Sequence, residues 1–314
     1  MDKAEITKTV SVTAVVVTFN RVELLRRVLC SLLQQTVRVE RFIIVNNSST
    51  DGTWEWLKEN YGEDERFVLI TQENVGGAGG FYRGIKETMA YDTDWIWCMD
   101  DDVFPAPSCL ETLLAYAKRA GVGIICPHRL MAGRTYTRDL RKLNLSVPFI
   151  GLHYDMLTPE MVERDEWVEI EGMAFEGPLI RREVVEKIGL PNKDLFILYD
   201  DTDYSYRAVL AGYRVLVVRD AVMEKHDFQS ASSYREEKMK NKWKLAYHIR
   251  NTAYFGHRYG KNCFVRYMAA IPFLLRMYAA ITFNFFVGHK YSFSDYALFW
   301  KMMVRGIRGE LGKL

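Results

Sequence analysis

The chain has 314 residues, of which 49% are hydrophobic and 26% are charged, with 42 Lys and Arg against 40 Asp and Glu. This composition excludes a disordered or fibrous protein, and the length allows one extended α/β domain or about two domains. The five cysteines include no CxxC pair, which argues against a disulfide framework or a zinc ribbon. Because the first ten residues, MDKAEITKTV, contain no apolar signal segment, we expect a reduced, cytoplasmic protein.

The net charge of +2 averages two unlike parts of the chain. Residues 234–314 carry 15 Lys and Arg against 4 Asp and Glu, and they hold 18 of the 42 aromatic residues. Residues 1–233 carry 27 Lys and Arg against 36 Asp and Glu. We therefore expect two regions, an acidic body over 1–233 and a basic, aromatic C-terminal region over 234–314. Such asymmetry indicates an anionic partner.

Strand and helix patterns alternate along the body, with continuous apolar strands between amphipathic segments. The predicted strands are Val12–Thr18, Phe42–Val45, Phe67–Thr71, Trp95–Met99, Gly123–Cys126, Trp167–Ile170, Phe196–Tyr199 and Tyr213–Val218. The predicted helices are Val22–Gln35, a segment after Gly52, Phe81–Ala90, Ser108–Arg119, Arg182–Lys187 and a segment from the acidic run at Asp200 to Leu210. This alternation predicts a doubly wound, mostly parallel α/β sheet, followed by a helical C-terminal region.

The C-terminal region is apolar over Phe264–Val287 but is interrupted by Arg266, Pro272 and Arg276. Its longest uncharged stretch, Met277–His289, is shorter than the roughly 18–20 residues that a spanning helix needs. The mixture of basic and aromatic side chains favours a helix that lies on an anionic membrane surface. The alternative is helices that pack on the body or in a homo-oligomer interface. We expect no nucleic-acid partner.

Acidic residues follow two of the predicted strands, where the ligands of a doubly wound sheet bind. Asp100 and Asp102 project to the same side of an extended segment, so they can share a divalent cation such as Mg²⁺ or Mn²⁺. A second acidic run, from Asp200 to Asp203, can supply a general base. Each run can instead serve only to cap the helix that follows it.

Two further features are ambiguous when each is taken alone. The glycine run Gly76–Gly80 precedes a predicted helix, so its amides can bind phosphate, but it can also be only a flexible turn. His226 follows the last strand of the body, and a lone histidine is most often structural or exposed.

Together and in this order, the motifs resemble the inverting, family-2 nucleotide-sugar glycosyltransferases of the GT-A fold. The resemblance covers about residues 10–230 and is greatest to bacterial galactofuranosyltransferases, with rhamnosyltransferases next. The motifs that carry it are VVVTFNR (15–21), IIVNNSSTDGT (43–53), ENVGGAGGFYRGI (73–85), WCMDDDV (97–103), EGMAFEGPLIRREVVEKIGL (171–190), LYDDTDYSYRAVLAGYRV (198–215) and His226.

The resemblance implies roles for the matched positions. Asp201 would be the catalytic base, and Asp100, Asp102 and His226 would hold the divalent cation, Mn²⁺ or Mg²⁺. The donor nucleotide would contact Thr18, Phe19, Asn20, Arg21, Asn46, Asn74, Gly76, Gly77, Asp100 and Asp101. Asn46 stands where relatives often have an Asp that accepts from uracil, and an Asn carbonyl can accept in the same way. The acceptor would lie near Phe175, Glu176 and Asp200.

The resemblance therefore implies an enzyme that acts in surface-polysaccharide assembly at the inner face of the cell membrane. By a single inverting displacement it would transfer galactofuranose from a UDP-linked donor to a lipid-diphosphate-linked glycan. A rhamnosyltransferase that uses dTDP-rhamnose is the nearest alternative. A non-catalytic scaffold that binds nucleotide sugars is an alternative of another class, but such a protein would not need the base Asp201.

Overall fold

The computed structural model describes residues 10–152, 155–228, 242–287 and 291–314, and it confirms an α/β fold with C-terminal helices. The strands are β1 (Val12–Thr18), β2 (Arg41–Asn46), β3 (Phe67–Thr71), β4 (Trp95–Asp100), β5 (Val103–Pro105), β6 (Val122–Met131), β7 (Arg134–Thr135), β8 (Arg141–Lys142), β9 (Asp155–Met156), β10 (Trp167–Ile170), β11 (Leu179–Arg181) and β12 (Arg214–Lys225). The helices are α1 (Val22–Leu33), α2 (Thr53–Tyr61), α3 (Gly76–Thr88), α4 (Cys109–Ala115), α5 (Pro159–Arg164), α6 (Arg182–Ile188), α7 (Asp200–Leu210), α8 (Lys242–Tyr259), α9 (Cys263–Met268), α10 (Ile271–Val287) and α11 (Ser294–Ile307).

Ten strands form one mixed sheet, whose main path runs β10-β12-β6-β11-β4-β1-β2-β3. The pairs β4-β1, β1-β2, β2-β3 and β6-β12 are parallel, whereas β11 is antiparallel to both of its neighbours, β4 and β6. Strand β5 pairs with the end of β12, so that Lys225 lies in register with Val103. This pairing places the end of β12 beside the aspartates that follow β4.

The sheet is covered on both faces, which explains its continuous apolar strands. Along β1, Ala14 and Val16 pack into one apolar cluster, and Val15 and Val17 pack into another. Helices α1, α2 and α4 contribute to the first cluster, and helices α3, α5, α6 and α7 contribute to the second. Since successive side chains of a strand point to opposite faces, this alternation places the sheet between two helical layers.

The segment Phe196–Tyr199, predicted to be a strand, is not one. It follows a short 3-10 helix (Lys193–Leu195), and three of its residues, Phe196, Leu198 and Tyr199, have φ values of 65°, 67° and 69°. Its apolar side chains are held against the C-terminal helices instead of pairing in the sheet. An apolar run of four residues is expected both for a buried strand and for an irregular segment that packs against helices. The sequence therefore could not distinguish these two structures.

Two other elements also differ from the prediction. Strand β11, Leu179–Arg181, was not predicted because three residues are too few to show a strand pattern. The glycine run, predicted to be a loop before a helix that starts at Phe81, forms the first turns of α3. Gly80 and Gly84 let this helix approach β1, since a Cβ at either position would lie within 2.5 Å of a valine side chain of β1.

The C-terminal helices form their own apolar cluster and hold the segment that precedes α7. Asn251 on α8 is fully buried, and its Nδ2 donates to the carbonyl oxygens of Leu195, Ile197 and Leu198 at 3.1, 2.9 and 2.9 Å. The predicted boundary between residues 233 and 234 lies outside the described residues. These contacts show that α8 packs on the body.

Among the described residues, the stretch Cys263–Phe283 has the length and composition of a membrane-crossing helix. Its mean hydropathy is 1.3 and 33% of its most apolar window is buried. The core helix of a soluble protein can have the same length and apolar composition, and this stretch includes Arg266 and Arg276. It is therefore weak evidence for a membrane span.

We expect Asn251→Ala to lower the free energy of unfolding by about 2–4 kcal/mol, because it removes the side-chain donor from the carbonyl groups of Ile197 and Leu198 in a buried position. Urea denaturation measures the change. The matched control is Asn60→Ala, whose side chain makes one exposed hydrogen bond to the carbonyl of Trp56. Equal effects of the two substitutions would contradict a special role for Asn251.

Candidate active site

The carboxyl ends of β1 and β4, the first turns of α3 and α7, and helices α8 and α10 line one cavity of about 860 Å³. Most of the predicted site residues lie in its lining: Thr18, Phe19, Arg21, Asn74, Gly76, Gly77, Asp100, Asp101, Asp102, Phe175, Glu176, Asp200 and Asp201. The parallel strands β1 and β4 end at the same edge of the sheet and bring their residues together there, whereas Asp200 and Asp201 join them from the start of α7.

Asp101 ties the end of β4 to the loop after β1. Its Oδ2 accepts from Thr18 Oγ1 at 2.8 Å and from the Phe19 amide at 3.2 Å, and its Oδ1 accepts from Arg21 Nη1 at 2.9 Å. The side chain is 3% exposed. Burial raises the pKa of Asp101, and the nearby Arg21 opposes this rise. Asp101 thus fixes the position of the predicted nucleotide-binding loop.

Two predicted donor contacts, Asn20 and Asn46, do not line the cavity. The Oδ1 of Asn20 accepts from the Thr50 amide at 2.6 Å, so this side chain joins two loops. Asn46 is 1% exposed, and its amide group bonds to the Ser49 amide at 3.0 Å and to Thr71 Oγ1 at 3.3 Å. In this conformation the Asn46 carbonyl is therefore used within the chain, and its neighbour Asn47 lines the cavity instead.

A group of three carboxylates lies at the end of β4. Asp100, Asp102 and Glu176 each offer an oxygen atom, and these atoms lie within 4.8 Å of one another. The ammonium group of Lys225 contacts both oxygens of Asp102 at 3.2 Å and one oxygen of Glu176 at 2.9 Å. Glu176 also forms a salt bridge with the buried Arg129.

Burial and the neighbouring charges determine whether the pKa of each carboxylate in this group is raised or lowered. Burial raises the pKa of Asp100 well above its usual range, and the neighbouring charges of Asp102 and Glu176 raise it further. Burial acts in the same direction on Glu176, but Arg129 and Lys225 outweigh it and hold its pKa below the usual range. Asp100 is thus the carboxylate of the group that most needs a further positive charge.

The three carboxylates fit a divalent cation, because clustered carboxylate oxygens are the ligands that Mg²⁺ and Mn²⁺ prefer. Glu176, predicted to be an acceptor contact, belongs to this group. His226, predicted to be a ligand, does not: its ring packs edge-on against Phe228 at 4.6 Å between ring centroids. His226 is nevertheless adjacent, since its backbone amide donates to the Asp102 carbonyl at 2.8 Å.

A second acidic pair stands at the start of α7. The Oδ1 of Asp201 accepts from the Thr202 amide at 2.6 Å. Burial raises the pKa of Asp200 to about 7, even though backbone amides at the helix start oppose it. Burial, followed by the charges of Asp200 and Asp139, raises the pKa of Asp201 well above its usual range. A carboxylate whose pKa is raised is a stronger base than an ordinary aspartate, so Asp201 is suited to accept a proton.

The other predicted or neighbouring residues of this region have structural contacts. Asp203 is paired with Arg207 at 2.9 Å and accepts from the Tyr259 hydroxyl at 2.7 Å. Phe175 is 3% exposed and stacks on Phe81 with 4.4 Å between ring centroids. Phe175 therefore mainly supports the cavity floor.

Several residues of the lining could not be predicted from the sequence, because tertiary packing brings their segments to the cavity. These residues are Phe81, Arg138, Asp139, Arg141, Lys225, Trp243, Lys244, His248 and Arg276. The one signal that could have found some of them is the excess of basic and aromatic residues in the C-terminal region.

We expect Asp102→Asn to weaken Mn²⁺ binding by at least the roughly 10-fold that loss of a supporting partner typically costs. Calorimetric titration of the full chain with Mn²⁺ measures this. Asp220→Asn is the matched control, because Asp220 is exposed and pairs only with Arg219 at the surface. Equal Mn²⁺ affinity in both variants would contradict a cation site here. Titrating Glu176→Gln and His226→Ala beside them assigns the third ligand.

Comparison with known proteins identifies the family of this chain. The model of the family "Glycosyl transferase family 2" matches residues 13–189. The galactofuranosyltransferase GlfT1 of Mycolicibacterium smegmatis is 31% identical over 215 residues, which are 66% of this chain and 68% of that protein.

Solved structures with low sequence identity share the fold. The mannosyltransferase PcManGT from Pyrobaculum calidifontis, in complex with GDP-Man and Mn²⁺, has a TM-score of 0.58 at 17% identity over 97% of this chain and 89% of that one. S. aureus TarS 1–349 in complex with UDP has a TM-score of 0.54 at 12% identity over 95% and 82%. The family match and the GlfT1 similarity show that the chain belongs to glycosyltransferase family 2, close to the galactofuranosyltransferases.

Proposed function

We propose that this glycosyltransferase transfers galactofuranose from UDP-galactofuranose to a lipid-diphosphate-linked glycan. The observation that carries the proposal is one cavity that holds both a carboxylate group suited to a divalent cation and a separate acidic residue, Asp201, with a raised pKa. The choice of sugar is supported by the similarity to GlfT1.

The donor lies against the loop after β1 and the start of α3. Thr18, Phe19 and Arg21 contribute to the nucleotide pocket, and Asp101 holds all three in place. Asn74 lies two residues before α3, and its Oδ1 accepts from the Gly76 amide at 3.0 Å. The following amides and the positive end of the helix favour the donor diphosphate.

Asp100 and Asp102 would hold the divalent cation, with Glu176 or His226 as the third ligand. When bound, the cation supplies positive charge beside the leaving diphosphate. Arg21, which lies beside Asp101 and Asp102 at 2.9 and 3.4 Å, adds positive charge at the same end of the cavity. These positive charges favour departure of the nucleoside diphosphate.

Asp201 takes the proton from the attacking acceptor hydroxyl. The hydroxyl oxygen forms a bond to the anomeric carbon while the bond from that carbon to the diphosphate oxygen breaks on the opposite face. One displacement inverts the anomeric centre and needs one base, so no covalent intermediate on the enzyme is required. Asp200, next to Asp201, lies on the acceptor side.

The C-terminal helices bring the enzyme to the inner face of the cell membrane as a peripheral protein. They expose several large apolar side chains alongside the basic residues of this region. The most exposed are Phe264, Tyr267, Leu275, Phe283, Phe293 and Trp300. Exposed apolar and aromatic groups among Lys and Arg suit an anionic lipid surface, where the acceptor lipid is held.

A donor panel tests the sugar. With Mn²⁺ and a lipid-linked acceptor fraction, we expect nucleotide release from UDP-galactofuranose and only background release from dTDP-rhamnose and GDP-mannose. Release is measured by coupled assay, and the product is checked by mass spectrometry. Turnover with dTDP-rhamnose alone would replace the proposed donor, and no turnover with any donor would favour the non-catalytic scaffold.

Asp201→Asn should lower kcat by about 10²–10⁴-fold, the usual contribution of a general base, while UDP affinity stays unchanged. In the native protein, kcat/KM should fall as the pH drops through the raised pKa, since the base acts in its ionised form. This acidic limb should lie well above the usual range of an aspartate.

Initial rates from pH 5 to 9 measure both effects. The control is Asp194→Asn, which replaces an exposed carboxylate paired only with Lys193 at the surface. Full activity of Asp201→Asn, or an acidic limb near pH 4, would contradict the role of Asp201.

A further inference from the structure

One part of the cavity lining is basic and is not used by the donor site. We name it the basic subsite, and it consists of Arg138, Arg141, Lys244 and Arg276. Arg138 precedes β8 and Arg141 begins it, whereas Lys244 lies on α8 and Arg276 on α10. Two distant regions of the chain therefore converge to place four basic side chains in one cavity.

Arg141 is the buried member of this subsite. It is 9% exposed, and its Nη2 donates to Asp139 Oδ1 at 2.9 Å. Its Nε is buried and has no hydrogen-bond partner among the described residues. Buried donors are nearly always satisfied in proteins, so the unpartnered Nε of Arg141 points to an acceptor group that a ligand in the cavity can supply.

The position of Arg141 is fixed by its surroundings. Its backbone exchanges hydrogen bonds with Gly172 at 3.2 and 3.0 Å. A Cβ on Gly172 would lie 2.9 Å from Arg141 Cγ and 3.4 Å from Thr202 Cγ2, so the arginine side chain crosses Gly172 on the same side as Thr202. Thr202 follows Asp201 directly. The basic subsite therefore begins beside the proposed base.

Two members of the basic subsite have side chains without a partner among the described residues. The side chains of Arg138 and Arg276 are exposed and make no hydrogen bond or ion pair within the part of the chain that the structure describes. His248, in the same lining, shows the effect: burial lowers its pKa to about 4, and the charges of Arg141 and Arg138 act in the same direction. The side chains of Arg138 and Arg276, together with the unpartnered Nε of Arg141, favour an anion in this part of the cavity.

The basic side chains at the donor end differ from those of the basic subsite, because they are paired with carboxylates. Arg21 is bonded to Asp101, and Lys225 is bonded to Asp102 and Glu176. The donor diphosphate already has its place at that end, near the carboxylate group. The anion that the basic subsite binds must therefore come from the other substrate.

We propose that Arg138, Arg141, Lys244 and Arg276 bind a phosphate group carried by the acceptor. The inference rests on the proposed function and deepens it, because it assigns the acceptor's anionic group to named residues. Guanidinium groups match phosphate oxygens with paired, charge-assisted hydrogen bonds. Anchoring the acceptor phosphate beside Thr202 holds the attached sugar near Asp201 and so favours attack by one hydroxyl.

Farnesyl monophosphate is the probe, titrated calorimetrically into the full chain saturated with UDP and Mn²⁺. We expect Arg138→Gln and Arg276→Gln each to weaken binding about tenfold, as expected for loss of a charge-assisted hydrogen bond. Both side chains are exposed, so both variants should fold. Arg308→Gln, which removes the same charge at the exposed end of α11, is the control and should bind as the native chain does.

The specificity of the probe is checked with farnesol, which lacks the phosphate and should bind at least about tenfold more weakly. Three outcomes would overturn the proposal: equal probe affinity in all variants, competition between UDP and the probe, or equal binding of farnesol. If the arginine variants bind phosphatidylglycerol vesicles more weakly but bind farnesyl monophosphate as the native chain does, the proposal is also overturned. These residues would then belong to the membrane-binding surface.

The titration contains no sugar donor, so its result does not depend on which nucleotide sugar is used. If UDP-galactofuranose fails in the donor panel but the arginine variants lose the probe, the proposed donor is wrong and the basic subsite remains. If the panel succeeds and the variants bind the probe normally, the transferase activity remains and the basic subsite is wrong.

Discussion

The arrangement of the cavity depends on how its buried carboxylates are neutralised. Burying a charge is costly unless it is paired, and the cavity holds acidic residues at the end of β4 and at the start of α7. Lys225, placed by the pairing of β12 with β5, bridges Asp102 and Glu176, and Arg129 completes the pairing of Glu176. Asp101 is neutralised by Arg21 and by hydrogen bonds from the same loop.

Among the described residues, Asp100 has no comparable partner, and burial raises its pKa. A divalent cation that binds here competes with Lys225 for the oxygens of Asp102 and Glu176. Lys225 therefore holds the carboxylates together in the absence of a cation. A cation would have to bind these oxygens more strongly than the ammonium group of Lys225 does. Cation affinity and fold stability are coupled through this one side chain.

The second acidic pair depends on the C-terminal helices. Three residues before α7 have positive φ values, which cost energy unless the surroundings hold them. Asn251 and Arg250, both fully buried on α8, bond to the carbonyls of this segment. Helix α8 thereby fixes where α7 begins and so where Asp201 lies.

Much of the fold could be predicted because parallel strands buried on both faces have continuous apolar sequences, as β1 shows. The position of Asp100 and Asp102 beside the loop after β1 followed from the rule that parallel strands end at one edge of the sheet. Asp201 lines the same cavity from the start of α7, which follows an irregular segment instead of a strand. The sequence could not show that Phe196–Tyr199 is irregular, because its apolar side chains meet α8 instead of a strand. Nor could it show that Glu176 joins the carboxylate group, since that depends on Lys225 and Arg129.

Only part of the positive charge of the C-terminal region lies on the outer surface, where the sequence placed it. Its excess of Lys and Arg predicted an anionic membrane partner, but Lys244 and Arg276 line the cavity and Arg250 is buried against the body. The exposed aromatic side chains, among them Phe283 and Trp300, remain available to a lipid surface. The same helices that would contact the membrane thus also form one wall of the cavity. An acceptor held at the membrane by its lipid would therefore present its phosphate to the basic wall and its sugar to the acidic one.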